Sequence, residues 1–142
     1  MSLALLVILA GDKAPGWDAW AQALSQIHTA ATFTEPVDLS QHTGILPVAV
    51  NGRRSGFYFL REPYPELAAH YPAVAKVHLH KPIVYSLSYG GHPDECAAAF
   101  YSASALVARF QGVAFDPQVG AILSAEQLTE AASQCSMLPR ND

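Results

Sequence analysis

The 142 residues fit one domain, long enough to bury roughly two thirds of its unfolded surface in a single core. Only 14% of the residues are charged, against a usual figure of about 25%. That suits either a compact domain rich in Ala, Ser and Gly or a surface partly covered by a partner. A formal net charge of −4 argues against a general nucleic-acid binder, which needs a basic stripe.

Leu3 to Ala10 is a continuous apolar run, the pattern of an inner strand covered on both faces. It is far shorter than the roughly 20 residues that span a bilayer. No basic residue precedes it, and Gly11-Asp12-Lys13 replaces a cleavage site, so neither a signal peptide nor a membrane partner is expected. The expected compartment is the cytoplasm. Trp17, Trp20, Ala21, Leu24 and Ile27 or His28 then repeat at three and four residues, which predicts an amphipathic helix. Thr32 to Gly44 offers a short strand or only a loop.

Ile45 to Val50 reads as a strand in which Pro47 marks an edge or a bulge. Asn51-Gly52 is a strong hairpin signal, and Phe57 to Leu60 form the returning strand. The proline-rich stretch that follows holds a short helix around Glu66 to His70, and Val74 to His80 is read as a strand or the end of a helical turn. Ile83 to Tyr89 is a strand that stops at Gly90-Gly91. Pro93, Asp94 and Glu95 open the longest helix, with Cys96, Phe100, Ala103, Val107 and Phe110 as its stripe and Gly112 at its end. Val113 to Phe115 is a short strand ended by Asp116-Pro117, completing a strand–helix–strand crossover. Ser124 and Gln127 form a capping box for a last helix, and the tail from about Met137 is expected to fray. The fold class is therefore α+β: a mainly antiparallel sheet with two or three helices on one face, a two-layer sandwich forming one domain over residues 1–142.

Two cysteines are too few for a disulfide scaffold and lack C-x-x-C spacing. Cys96, on an apolar helical face, is expected to be a free thiol acting as a small buried hydrophobe.

Chemistry-bearing residues are scattered. His78 and His80 share a side if their segment is a strand, but a third metal ligand has to come from afar, from His70, His92 or Asp116. Ser86, Ser88 and Cys96 lie outside any Gly-x-Ser-x-Gly elbow. Gly90-Gly91 precedes a helix N-terminus, where Asp94 and Glu95 repel a phosphate. No enzymatic centre, metal or cofactor is expected. Asp116-Pro117 reads as an Asx-type turn, or as a binding group on the rim.

The aromatic residues Phe57, Tyr58, Phe59, Tyr64, Tyr71, Tyr85 and Tyr89 exceed what one sheet face needs, and tyrosine with arginine favours interface cores. Charge is also uneven. Residues 53–81 hold five basic and two acidic side chains, and residues 83–135 hold five acidic and one basic. The expected contact residues are Arg53, Arg54, Tyr58 and Arg61, with Asp94, Glu95 and Asp116 on an acidic face. The edge near Pro47 leaves a homodimer open.

Gly44-Ile45-Leu46-Pro47-Val48, Ser55-Gly56-Phe57-Tyr58, Ser88-Tyr89-Gly90-Gly91 and Gly112-Val113-Ala114-Phe115-Asp116-Pro117-Gln118 flank an Ala-rich helix. Over roughly residues 44–120 this pattern resembles small bacterial immunity proteins encoded beside polymorphic or type VI-secreted antibacterial toxins. Tyr58 stands where such proteins often carry an acidic residue. The resemblance implies a cytoplasmic, non-enzymatic α+β domain that binds and neutralises a cognate toxin. Two other readings are a structural or assembly protein with another partner, and a small hydrolase or metal-dependent enzyme using His78, His80 or Cys96.

Overall fold

The computed structural model describes residues 3–139. In chain order the elements are β1 (Leu3–Ala10), α1 (Trp17–Ile27), β2 (Ala31–Phe33), β3 (Gly44–Val50), β4 (Arg53–Pro63), α2 (Tyr64–His70), α3 (Pro72–Ala75), β5 (Pro82–Tyr89), α4 (Pro93–Phe110), β6 (Val113–Asp116), β7 (Ala121–Leu123) and α5 (Ala125–Ser136). The strands form one seven-stranded sheet in the order β2-β3-β4-β5-β1-β6-β7, with every neighbouring pair antiparallel.

The apolar run of β1 is the inner strand its sequence predicts. It pairs with β5 from Leu3↔Tyr89 to Ala10↔Pro82, and with β6 along its other edge. Successive side chains alternate faces. Leu5, Val7 and Leu9 therefore enter the main core, while Leu6 and Ile8 enter a smaller cluster on the opposite face.

On the main face lie α1 and α4, with α5 laid along α4. Residues 97–106 of α4 are buried on every side, so the helix is enclosed well beyond the single stripe expected of it. Ala97, Ala98, Ala99, Ser102, Ala103, Ser104 and Ala105 keep it thin enough to approach several neighbours. Trp20 reaches in from α1, stacks on Tyr85 and donates its indole N–H to Ser102 O at 3.0 Å. Since β5 and β6 both run antiparallel to β1, they share a direction, and α4 carries the chain across β1 between them.

The helices α2 and α3 occupy the second face, so helical cover is not confined to one side. Val74 of α3 and Leu67, Ala68 and Tyr71 close over Leu6, Ile8, Val84 and Phe115. The segment from Val74 to His80 is not a strand. Pro72 sets the helical φ at the start of α3, and β5 already has β4 and β1 on its two edges, which leaves no ladder for another strand.

Local signals account for the turns and caps. Asn51 (φ 51°) and Gly52 (φ 80°) make a two-residue hairpin turn, and Ser124 with Gln127 forms the capping box of α5. The left-handed cap of α4 is Gln111 (φ 57°). Gly112 serves a different need: a Cβ there would lie 2.8 Å from Val7 Cγ1. β7 escapes the sequence because three residues show no periodicity. Of the tail expected to fray, Met137 and Leu138 are exposed, and residues 140–142 lie outside the described residues.

The free-thiol expectation for Cys96 is corrected: Cys96 and Cys135 form a disulfide, with Cα atoms 5.7 Å apart and a sequence separation of 39. The first turn of α4 meets the last turn of α5, a tertiary proximity that spacing in sequence does not carry. In the chain-entropy account a loop of this length is worth about 4 kcal/mol. Denaturant unfolding of the oxidised chain and of Cys135→Ala is expected to differ by up to that amount, and coincident unfolding curves would refute the contribution.

Candidate functional site

The covering of the second face stops short. Leu6, Ile8, Val84 and Phe115 lie beneath α2 and α3, but the β2–β4 part of the same face has no helix over it. Register pairs Ile45 with Tyr58 and Tyr58 with Ser88, so these three side chains form one cross-strand row there. Ile45 is 58% exposed and Tyr58 44%, while their in-strand neighbours Leu46, Phe57 and Phe59 are sunk in the main core.

A groove of about 680 Å³ runs beside this row. Ile45, Arg54 and Tyr58 form one wall, with Ser88 of β5, Gly90 just beyond that strand, and His92 and Glu95 at the start of α4. At Gly56 a Cβ would stand 2.7 Å from Leu46 O, so the hairpin needs glycine at that close approach. The neighbouring Tyr89 hydroxyl is pushed up to about 12 by desolvation and, secondarily, by the charge of Asp116. It stays protonated at neutral pH.

The helix N-terminus beside the groove is already occupied. His92 Nδ1 accepts from Asp94 N–H, and Glu95 Oε1 accepts from Gly90 N–H at 2.9 Å. Arg53 makes a bidentate pair with Asp94, at 2.8 and 3.0 Å, which ties the start of β4 to α4. The side chain of Asp94 is 3% exposed and that of Arg53 39%.

The expected contact residues therefore separate. Arg54, Tyr58 and Glu95 line the groove. Arg53 and Asp94 hold the framework behind it, and Asp94 is not on an acidic surface. Arg61 lies elsewhere: it pairs with Tyr85, stands 5.8 Å over that ring, and lines a smaller depression with Pro15, Trp17 and Asp38. Asp116 is buried and accepts from Gln118 N–H at 2.9 Å, the Asx-type turn rather than a rim group. Tyr85 and Tyr89 point into the main core, on the same face as Phe57 and Phe59, so most of the aromatic surplus is core. Ile45, Ser88 and His92 are the groove residues that sequence reasoning missed. Strict alternation in β3, with Leu46, Val48 and Val50 inward, is the signal that places Ile45 outward.

The residues considered for catalysis do not converge. His78 and His80 are exposed and lie off any strand, and among the described residues no group of three His, Cys, Asp or Glu side chains is arranged to hold a metal ion. Cys96 is consumed in the disulfide. A close serine–histidine contact occurs between His28 Nε2 and Ser104 Oγ at 2.6 Å, but Ser104 is 1% exposed and donates its proton to Tyr101 O at 2.8 Å. That serine is almost wholly buried, and its hydroxyl is shared between the imidazole and the Tyr101 carbonyl.

Two outcomes follow from these contacts. Arg53→Ala removes the bidentate pair from a buried carboxylate and is expected to cost about 1–2 kcal/mol in denaturant unfolding, discounted because the guanidinium is partly solvated. An unchanged midpoint would mean that the pair contributes nothing. Burial lowers the pKa of His28 below its ordinary 6.5. The unfolded chain then takes up a proton at a pH where the folded one does not, so stability falls as pH drops from about 6.5 toward the folded value. His28→Gln is expected to flatten that slope, and an identical slope in both proteins would remove His28 as its source.

No helix among the described residues is long and apolar enough to cross a membrane. Set against protein-family models, curated proteins and solved structures, the chain has no significant match.

Proposed function

We propose that this chain is a non-catalytic binding protein, an immunity protein that neutralises a cognate antibacterial toxin in the cytoplasm. The observation that carries the reading is the uncovered β3–β4 face, where Ile45 and Tyr58 stand exposed beside a groove. A large apolar residue and a tyrosine in adjacent register form the kind of anchor that interface cores use. Arg54 makes no ion pair among the described residues, so its guanidinium is available to a carboxylate of the partner. The dispersed histidines and the nearly buried Ser104 favour binding over hydrolysis. The resemblance in sequence supplies the class of partner, a toxin encoded beside this gene.

Co-expression with the product of the adjacent toxin gene is expected to restore growth, and the two purified proteins to form a stoichiometric complex. Tyr58→Asp and Arg54→Glu change exposed side chains and should leave the fold intact by circular dichroism. Loss of a central anchor typically costs at least about 2 kcal/mol, so Tyr58→Asp is expected to weaken the complex by roughly 30-fold or more. Absence of both protection and a complex would end the immunity reading. A complex that tolerates both substitutions would move the contact surface elsewhere.

A further inference from the structure

The two ends of α5 are held in different ways. Its start follows directly on β7 and is fixed locally by the capping box of Ser124 and Gln127. Along its length α5 lies chiefly against α4, with Leu128, Ala132 and Cys135 as its buried stripe. The last two turns therefore bury Ala132 and Cys135, with Ala131 partly covered, which is a small apolar contact. The Tyr101 hydroxyl stands 3.5 Å from Ser133 Oγ, at the outer limit of a hydrogen bond. No basic residue in the last turn meets the carbonyls that end the helix. Cys135 thus carries much of the attachment of this end, both by packing and through its bond to Cys96.

The other half of the disulfide sits on a turn that is fixed without it. Arg53 pairs with Asp94 at 2.8 and 3.0 Å, and Glu95 accepts from Gly90 N–H at 2.9 Å. Opening the disulfide therefore leaves the start of α4 tied to β4 and to the end of β5. It removes the covalent tie of α5 at the end where packing is thinnest. Elements with few buried apolar contacts are the ones that open below the global unfolding energy, so the loss is local to the end of α5. The bond is also approachable. Cys96 is half-buried while Cys135 is 6% exposed, so an incoming thiol meets Cys96 first.

We propose that Cys96 and Cys135 form a reversible thiol–disulfide switch with α5 as its moving part. Joined, the pair locks the last turns of α5 onto α4; reduced, it lets them open while the sheet and the groove keep their form. The reductant is a small thiol such as glutathione. Its thiolate attacks the sulfur of Cys96, the S–S bond breaks, and Cys135 leaves as a thiolate that takes up a proton. A second glutathione thiolate attacks the glutathione sulfur of the mixed disulfide, which releases Cys96 as a thiol and forms glutathione disulfide. Two electrons pass from two glutathiones to the pair, and glutathione disulfide reverses both steps. Opening of α5 brings the exposed Glu130 into an extended segment that a protease can cut, so the lifetime of the chain follows the redox state of its compartment. The switch rests on the disulfide and stands independently of the toxin-binding reading.

The test is amide hydrogen exchange of the native full chain in glutathione buffers set reducing or oxidising, read by mass spectrometry. On reduction, exchange over residues 131–138 is expected to quicken at least about tenfold, while residues 83–95 exchange as before. A glutamate-specific endoprotease should cut after Glu130 faster by a similar factor, and glutathione disulfide should restore both the slow exchange and the resistance. Cys96→Ser, at the less buried of the two positions, should show the fast exchange of 131–138 in either buffer. Three results overturn the proposal. Unchanged exchange over 131–138 in the reduced chain means that the bond does not control α5. A rise of equal size throughout the sheet means that it holds the whole domain. Reduction that occurs only in denaturant means that the bond is a static one.

Discussion

A strand that is apolar on both faces has to be covered twice, and in this chain that strand is β1. One face is met by α4 and α1, the other by α2 and α3, the small helices of the proline-rich segment. The second cover is short. Two helices of 7 and 4 residues reach over β5, β1 and β6 but not over β3, so the sheet is three layers deep at its centre and has one bare face toward β2. The exposed row of Ile45 and Tyr58 follows from that mismatch between a seven-stranded sheet and the helix length available to roof it.

The other dependence is on the ends of α4. Its first turn carries the Arg53–Asp94 pair, the Glu95–Gly90 contact and one end of the disulfide, so β4, β5 and α5 are all tied to about one turn of helix. The wall of the groove formed by His92 and Glu95 is therefore held rigidly against the wall formed by Arg54 and Tyr58, a condition for binding without a large ordering cost. The disulfide also links this arrangement to the compartment. A reducing cytoplasm keeps such a pair as thiols and an oxidising space keeps it joined, so a cytoplasmic role has to rest on the noncovalent ties at this helix end.

Much of the fold was legible because its signals are local. The apolar run of β1, the Asn51-Gly52 turn, the acidic start of α4 and the Ser124–Gln127 box each act within a few residues. What was not legible joins distant positions: Arg53 to Asp94 across 41 residues, His28 to Ser104 across 76, Cys96 to Cys135 across 39. The site was half legible. Arg54 and Tyr58 line the groove, but Arg61 was grouped with them although it lies three positions from Tyr58, an odd offset that in a strand places the two on opposite faces. The acidic second half holds only in part as a surface argument: Glu126 and Glu130 are exposed, but Asp94 and Asp116 are buried. The Asp94 carboxylate accepts from Arg53 and that of Asp116 from a backbone N–H inside the molecule, and charge counted along the chain does not register burial.

The bare face also sets what a partner must look like. A stable protein–protein contact covers about 800 Å² on each side, and two exposed side chains supply an anchor without supplying that area. The rest has to come from the same face. Register supplies a second row there, Thr32 against Ala49 against Arg54, parallel to the row of Ile45, Tyr58 and Ser88. Between the rows lie Pro47, with a compact ring, and Gly56, with no side chain, beside the longer side chains of Tyr58 and Arg54, so the surface is lowest at Gly56. A partner that fits has a narrow projecting segment to fill the dip, a carboxylate within reach of Arg54 and an apolar flank against Ile45. A flat partner surface meets only the two raised side chains and leaves the floor of the groove wet.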